Sequence, residues 1–522
     1  MIQLDQPILL SIVVVPLVAA ILLPAVGKRV SPKILAAIST VLLAYPLAVI
    51  SVFLFASGLS SGIADPVYFS TARIGSFSML LDGLSGPIAF SIALVTTMVS
   101  IYSLPYMRHR FEEMEKEKSQ QPSWGTYYML FVIFATAMLG CALSTNLIEF
   151  YIFLELTLIP SFLLIAFYGY GARGKIALMY LIWTHIGALL FLIGSITFGF
   201  YAGTFDILNM QTLTFNNTLY TLLPSSILIF SAIAIMIGLF IKMAVFGVHI
   251  WLPYAHAESP TPVSALLSPN LIGIGGYALV RVLFIMFPTV FRDASVYLMI
   301  LALVTMIYGG LMSLAQDDFK RMLAYSSISQ MGYLLLGVGS MTTLGISGAM
   351  LQYVTHAVGK AVLFSVAGVM IVKFNGLRSI SKMGGLATKL PITAALALLG
   401  FMQITGIPPS LGLWSEVLIV FGAVSSAQAM SSVAFVLLVI GLLVAIGLST
   451  AYAFITMKRI FFGPSTSEET RGEGLEVKKF ILLPIMIVAV VGVLLFFFPQ
   501  VFIDPLTKFI DPFTKIVSSF AG

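Results

Sequence analysis

The chain is a series of long apolar runs separated by short polar or Pro/Gly-rich segments. Most runs have about 17–25 residues, enough for an α-helix to cross a hydrocarbon core roughly 30 Å thick. The pattern predicts an all-α polytopic membrane protein with about fourteen helices. The predicted spans are 8–26, 34–57, 84–104, 127–143, 147–168, 176–203, 224–252, 263–286, 296–315, 321–339, 345–372, 391–423, 432–457 and 480–503.

Two runs contain residues that interrupt a helix. The seventh has Gly247 shortly after Lys242, and the twelfth has "TGIPPSLG" around Gly406. Irregular backbone at membrane depth survives only where it is buried in protein or lines a wet cavity. Interrupted helices at corresponding positions point to a transport site built from repeats. Because the breaks are five helices apart, the pattern favours two five-helix repeats, comprising predicted helices 4–8 and 9–13.

This organisation divides the chain into four parts. Residues 1–126 contain the first three helices, 127–286 the first repeat, 287–462 the second repeat, and 463–522 a loop and the last helix. The longest polar connection, 105–126, has balanced charges, which predicts a solvated amphipathic turn or helix.

Composition agrees with a membrane protein, since 59% of the residues are hydrophobic and only 9% are charged. The single cysteine, Cys141, excludes an intrachain disulfide and a cysteine-based metal site. The first run lacks a basic start and a small-residue cleavage site, so we expect a retained helix and not a signal peptide. No nucleotide fingerprint or hydrolase pattern is present, and we expect no cofactor, no metal and no nucleic acid.

The distribution of basic residues predicts the orientation. With the N-terminus outside and fourteen crossings, twenty of the 27 Lys and Arg residues fall on the inside. The outside segments carry Arg73, Arg292, Lys508 and Lys515, and the apolar runs carry Lys242, Arg281 and Lys360. By the positive-inside rule, both termini face outward. The expected location is the cytoplasmic membrane of a prokaryote.

Ionisable residues inside the runs are the candidates for function, because a charge at bilayer depth costs on the order of 3 kcal/mol or more. Glu155 and Lys242 would form a switchable ion pair, since a desolvated lysine loses its proton readily and a nearby carboxylate restores the charge. Two alternatives stay open. Lys242 would otherwise extend to the membrane interface, and Glu155 would be a protonated carboxyl hydrogen-bonded to a neighbouring helix.

His356 and Lys360 lie four residues apart, which places them on one face of a helix. A histidine can donate and accept near neutral pH, which suits a proton relay. Glu416 follows the second break, and we expect it to hold the position in the second repeat that Lys242 holds in the first. Glu149 is near a helix start, where a carboxylate has either a functional role or a favourable interaction with the helix dipole.

Four further residues are secondary candidates. His185 lies within the sixth run, and its role is open. His249 and His256 follow Lys242 at steps of seven, but Pro253 argues against one continuous helix. We expect His256 in a loop on the inside, where it marks an entry mouth or has only a loop role. Lys320 lies near the inside end of the tenth run.

Four segments carry a family resemblance: "KMAVFGVHIWLPYAHAESPTPVSALL", "DDFKRMLAYSSISQMGYLLLG", "HAVGKAVLF" and "GIPPSLGLWSE". They resemble the antiporter-like family. Its members are the proton-pumping membrane subunits of complex I, the large subunits of Mrp-type antiporters and the matching subunits of archaeal membrane-bound hydrogenases. The resemblance covers predicted helices 4 to 13. The segment "SALLSPNLIGIGGYALVR" looks most like the hydrogenase type.

The resemblance implies fourteen helices, two inverted five-helix repeats and broken helices 7 and 12. By motif, Glu155 and Lys242 match the family's glutamate–lysine pair, Lys360 with His356 matches the central relay, and Glu416 matches the exit residue. Lys320 resembles a motif residue outside the relay.

One position departs from the family pattern. Many relatives carry a lysine four residues before the motif tyrosine, where this chain has Gly273. Water or a histidine would have to span that gap.

The resemblance implies an ion-translocating membrane subunit of a redox-driven complex, moving protons or exchanging protons for sodium. The expected partners are other membrane subunits and a peripheral redox module. The alternatives are the large subunit of a free-standing Mrp-type antiporter and a structural subunit that conducts nothing.

Overall fold

The computed structural model describes residues 2–57, 59, 61–72, 74–117, 122–216, 218, 223–428, 431–464, 477 and 479–519. Most of these residues are helical, and the helices are α1 Ile8–Val26, α2 Pro32–Ser57, α3 Ser85–Lys116, α4 Trp124–Leu143, α5 Leu147–Tyr168, α6 Arg173–Ala202, α7 Ile207–Phe215, α8 Ser225–Met243, α9 Trp251–Glu258, α10 Thr261–Phe284, α11 Pro288–Leu314, α12 Phe319–Gly339, α13 Thr343–Lys373, α14 Pro391–Ile404, α15 Leu411–Ala427, α16 Ser432–Phe462, α17 Lys479–Phe497 and α18 Gln500–Ser519. Four residues of the charge pattern lie outside the described ranges: Arg73, Lys118, Arg471 and Lys478.

The fold class predicted from the apolar runs is confirmed. Twelve helices of the described chain are long and apolar enough to cross a membrane. Helices α14 and α15, the two halves of the interrupted span 391–423, are shorter than these twelve. The more polar α12 is not among the twelve either. The count of about fourteen crossings and the division into two repeats stay predictions.

Helix ends follow local sequence. Ser123, Asn146 and Thr342 accept backbone N–H groups at the starts of α4, α5 and α13, which satisfies donors that a helix start leaves free. Helix α3 continues to Lys116, well past the predicted end at 104, so part of the polar connection 105–126 is helical.

Burial distinguishes central helices from those that face outward. The membrane-spanning windows of α10 and α13 are 100% buried inside the protein, whereas that of α2 is 28% buried. Apolar side chains on the outer helices suit contact with lipid tails. The candidate residues on α13 therefore lie in the protein interior, away from lipid.

Small elements lie between the long helices and at the C-terminus. Strand β2 Ile63–Ala64 pairs with β1 Ile2–Gln3 in parallel and with β5 Leu80–Leu81 in antiparallel orientation, and β3 Phe69–Thr71 pairs with β4 Gly75–Phe77 in antiparallel orientation. Helix α18 is amphipathic, and it buries Phe502, Leu506, Ile510 and Val517. These strands and α18 are absent from the sequence prediction, which has one terminal helix.

Both predicted helix interruptions are present. Helix α8 ends at Ala244 (φ +55°), Gly247 has φ +95°, and α9 begins at Trp251. Helix α14 ends before Gly406 (φ +64°), and α15 begins at Leu411. Positive φ is accessible to glycine at little cost, which explains the residue type at 247 and 406.

At each break, a buried backbone carbonyl accepts a hydrogen bond from a side chain beyond its own helix. The Trp251 indole donates to the carbonyl of Ile241 (3.0 Å), and the Gln330 amide donates to that of Ile404 (2.8 Å). Backbone groups freed inside a membrane need such partners. These hydrogen bonds therefore stabilise the backbone at each break.

Candidate functional site

The first break positions Lys242 in the last turn of α8, and its side chain is 3% exposed. Its ammonium Nζ lies 3.5 Å from the hydroxyl of Thr157 on α5. Glu155, on the same helix as Thr157, is within electrostatic range of Lys242. Lys242 thus stays inside the protein, which excludes the alternative in which it extends to the interface.

The closed Glu155–Lys242 pair expected from the sequence is not formed among the described residues. The Glu155 carboxylate instead lies 3.2 Å from Nδ1 of His185 on α6. The His185 side chain is 46% exposed and that of Glu155 is 20% exposed, so this pair is at the outward surface of the helices. The carboxylate of Glu155 and the ammonium of Lys242 therefore each have another neighbour.

Glu149 is buried at the start of α5, where local contacts account for it. Its carboxylate accepts the backbone N–H of Thr145 (3.1 Å) and the hydroxyl of Tyr68. A carboxylate in the first turn also interacts favourably with the helix dipole. The structural reading of Glu149 is therefore supported by these contacts.

The central candidates lie on α13. His356 and Lys360 are fully buried. The Lys360 ammonium donates to the carbonyl of Leu323 (2.8 Å) and to the hydroxyl of Ser326, both on α12. His356 has no well-formed side-chain hydrogen bond in the described part of the chain, and its ring lies beside the backbone of Pro269 on α10.

Glu416 is buried on α15, directly against the second break. A Cβ atom at Gly406 would lie 2.5 Å from its Oε2, so the carboxylate packs on the glycine backbone. Its Oε1 has no protein partner among the residues that the structure describes. Tyr333 and Tyr452 are within electrostatic range of this carboxylate.

Neutral polar side chains connect α13 to the second break, and the sequence reasoning missed them. The Gln352 amide donates to the Gln330 side chain, and the Ser415 hydroxyl donates to Gln352 (2.5 Å). The Gln330 amide is 3.2 Å from the Tyr452 hydroxyl. Gln352 precedes His356 by four residues, so the spacing that identified the His356–Lys360 face could have found it.

His256 lies in helix α9 and not in the expected loop. Pro253 falls in the first turn of α9, where a missing N–H costs little. The ring is fully buried, stacks on Phe364 (centroids 5.0 Å apart), and has no hydrogen-bond partner in the described ranges. Lys320 approaches the end of the same helix, where its ammonium donates to the carbonyls of Ala257 (3.4 Å) and Ser259.

His249 belongs to the first break itself. Its Nδ1 accepts the backbone N–H of Gly247 (3.2 Å), and its Nε2 lies 3.0 Å from the Tyr308 hydroxyl. The ring also stacks on Phe246. These contacts shape the unwound segment and separate His249 from His256.

Arg281 forms a buried ion pair that fits the sequence-based interpretation of an anchor. Its guanidinium donates to both oxygens of Asp82 (2.8 and 2.7 Å) and lies 3.0 Å from the Tyr277 hydroxyl. The ring of Phe509 on α18 stacks on the same guanidinium at 4.9 Å. This cluster joins α10, α18 and the segment just before α3.

Buried ionisable residues beside two interrupted helices are the arrangement expected of a polytopic membrane protein that moves ions. The family profile described as "NADH:quinone oxidoreductase/Mrp antiporter, TM" matches residues 144–441, and "NADH-Ubiquinone oxidoreductase (complex I), chain 5 N-terminus" matches residues 73–114. The chain belongs to the NADH:quinone oxidoreductase/Mrp antiporter transmembrane family, which confirms the resemblance read from the motifs.

Two relatives illustrate the similarity in sequence. NAD(P)H-quinone oxidoreductase chain 4-2 of Synechocystis sp. is 34% identical over 394 residues, covering 74% of this chain and 66% of that protein. NAD(P)H-quinone oxidoreductase chain 4 2 of Trichodesmium erythraeum is 32% identical over 479 residues, covering 88% of this chain and 79% of the relative.

Solved structures show the same fold at lower identity. A chain of respiratory complex I from Thermus thermophilus has a TM-score of 0.79 and 24% identity, covering 98% of this chain and 99% of that one. A chain of the Mrp complex from Dietzia sp. has a TM-score of 0.80 and 21% identity, covering 97% and 98%. The fold is thus shared by complexes of both kinds.

Proposed function

We propose that this chain translocates protons, or exchanges protons for sodium, as a membrane subunit of a redox-driven complex. The observation that carries the proposal is a set of ionisable residues that begins at the partly exposed Glu155 and continues with the buried Lys242, His356, Lys360 and Glu416. Such residues are costly inside a membrane protein and mark ion pathways.

The contacts support a relay in the second half of the site. Lys360 and His356 share a helix face with Gln352, whose hydrogen bonds reach Gln330 on α12 and Ser415 on α15, after the second break. Glu416 lies one residue after Ser415. These groups would carry a proton from Lys360 toward the Glu416 carboxylate.

The first half supplies the switch. Lys242 and Glu155 lie in electrostatic range without direct contact, so a small movement of either side chain changes their interaction. Closing the pair favours both charged forms, and opening it favours proton release from Lys242. The change in charge at Lys242 would then act on the central residues of α13.

The family relatives support a redox-driven assembly in which peripheral redox subunits provide the driving force. Those named NAD(P)H-quinone oxidoreductase chain 4 favour a quinone-reducing complex, and the hydrogenase-type assignment stays a prediction. The charge pattern supports an orientation with both termini outside, in the cytoplasmic membrane of a prokaryote. The similarity to the Mrp complex keeps an Mrp-type exchanger as the second candidate.

The first experiment is purification from native membranes in mild detergent, followed by mass spectrometry and proton-uptake measurements in proteoliposomes. We expect iron–sulfur and quinone-reducing subunits to co-purify and proton uptake to follow electron transfer. Co-purification of small hydrophobic antiporter subunits alone, with sodium-dependent proton movement, would support the Mrp-type exchanger. Electron transfer without any ion movement would support the structural subunit.

We also expect Gly406→Ala to lower translocation about tenfold, because a displaced reactive group loses much of its efficiency. The new Cβ would lie 2.5 Å from Glu416 Oε2 and push the carboxylate away. Gly203→Ala is the matched control, since Gly203 also has positive φ (+74°) but nothing within 4 Å of an added Cβ. If the two substitutions lower translocation equally, backbone strain and not displacement of the Glu416 carboxylate is the cause.

A further inference from the structure

The region between Lys242 and His356 contains Gly273, the position at which many relatives carry a lysine. Gly273 lies on α10, and a Cβ atom there would be 2.4 Å from Cε2 of Tyr353. The ring of Tyr353, which projects from α13, therefore fills the space that a longer residue at 273 would need. An aromatic ring with a hydroxyl group takes the place of a charged side chain at this point.

The Tyr353 hydroxyl points toward a polar segment. It donates to the backbone carbonyl of Asn270 (3.0 Å) and is fully buried. Tyr353 is within electrostatic range of Cys141, which is itself in range of Lys242. On the same helix as Gly273, a Cβ atom at Gly275 would lie 2.6 Å from Cγ of Met243, so this part of α10 packs beside the end of α8 that carries Lys242.

Asn270 is the feature that needs an explanation. Its side chain is 0% exposed, and neither the amide nitrogen nor the amide oxygen has a protein partner among the described residues. A buried polar group left unpaired costs about 1–3 kcal/mol, and buried water is the common partner in such cases. Asn270 also lies in a π-helical turn, Leu267–Leu271, and such turns are frequent at functional sites.

The same turn borders the central relay. The His356 ring lies beside the backbone of Pro269. The Ser268 hydroxyl is 2.8 Å from that of Ser327 on α12, next to Ser326, which holds Lys360. Polar groups of this turn consequently face both His356 and the Lys360 surroundings.

We propose that Tyr353 and Asn270, together with water held by the Asn270 amide, form the proton bridge between Lys242 and His356. This inference rests on the proposed function. The Lys242 ammonium releases one proton to the water, which passes a proton to the neutral imidazole of His356. Tyr353 and Asn270 orient the water and keep their own protons overall, so the step needs no other reactant.

The test uses the whole complex in proteoliposomes. Asn270→Leu removes the amide while keeping the same branched arrangement of side-chain heavy atoms, and Tyr353→Phe removes only the hydroxyl. Each is expected to lower the proton translocation rate about tenfold or more and to enlarge the rate difference between H₂O and D₂O. Asn270→Ser, which keeps a polar group for water, should recover most of the rate.

The control is Tyr128→Phe on α4, another buried tyrosine whose hydroxyl bonds to Ser103. It should leave the rate and the isotope effect unchanged. Normal translocation in Asn270→Leu and Tyr353→Phe, with loss in Lys242→Met, would overturn the bridge and leave the proposed function standing. Normal translocation in Lys242→Met would overturn the proposed function itself.

A high-resolution cryo-EM map of the same complex gives a second measurement. Ordered water density within hydrogen-bond distance of the Asn270 amide, lost in Asn270→Leu, is expected. A dry, well-ordered amide in the unsubstituted complex would contradict the bridge.

Discussion

Lys242→Met is expected to abolish coupled proton translocation while the complex still assembles. Methionine preserves most of the apolar length of lysine, so packing of α8 against its neighbours is retained. The charge that interacts with Glu155 is lost, and with it the group that can release a proton. Proton uptake by proteoliposomes, measured with a pH-sensitive dye, reports the loss, and native gel electrophoresis reports assembly.

Lys382→Met provides the control, because Lys382 is an exposed lysine in a loop between α13 and α14. It should translocate at the unsubstituted rate. Glu155→Gln and Lys360→Met should behave like Lys242→Met. Ion movement that survives all three core substitutions would mean that the chain is a structural subunit.

Arg281→Met is expected to have the largest effect on stability. It leaves Asp82 buried without its bidentate partner, and breaking a buried ion pair in this way costs about 3–5 kcal/mol. Burial alone would raise the pKa of Asp82, whereas the Arg281 guanidinium holds that pKa below its ordinary value. Limited proteolysis after heating should release α18 earlier than in the unsubstituted complex, because Phe509 loses its cationic neighbour.

The pH dependence checks this explanation. In the unsubstituted complex the lowered pKa of Asp82 contributes stability above the unfolded-state pKa, and this contribution is lost as pH falls through the folded-state pKa. In Arg281→Met, burial without the guanidinium raises the pKa of Asp82. Acidic pH should therefore reduce the loss of stability, because it protonates Asp82. Arg292→Met, at an exposed pair with Asp293, should change stability by less than about 0.5 kcal/mol. A similar loss of stability in Arg281→Met and Arg292→Met would contradict the explanation based on the buried ion pair.

The sequence predicted the long helices well because lipid imposes length and apolarity on each of them. The predicted spans 8–26 and 147–168 coincide with α1 and α5. The breaks were also predictable, since glycine and proline mark them directly. Helix α18 was missed because Asp504, Lys508 and Asp511 lower its hydropathy, although its buried residues recur at helical spacing.

The ionisable candidates could be selected from the sequence for a similar reason, since a charged residue in an apolar run is conspicuous; their roles stay predictions. Gln330 and Gln352 were missed because neutral amides are unremarkable until a structure places them together. The Glu155–His185 contact depends on the packing of α5 against α6, which residue spacing within one helix does not determine. Tyr353 opposite Gly273 is equally a matter of tertiary packing.

The burial of the only cysteine has a practical consequence. Cys141 is 0% exposed, so a maleimide reagent should not label the unsubstituted chain. Cysteines introduced at Asp293 and at Lys382 would then be the only reactive thiols, without prior removal of a native one. Intact cells treated with a membrane-impermeant reagent would label the first and spare the second if the termini face outward. The chain is naturally suited to thiol mapping of its own topology.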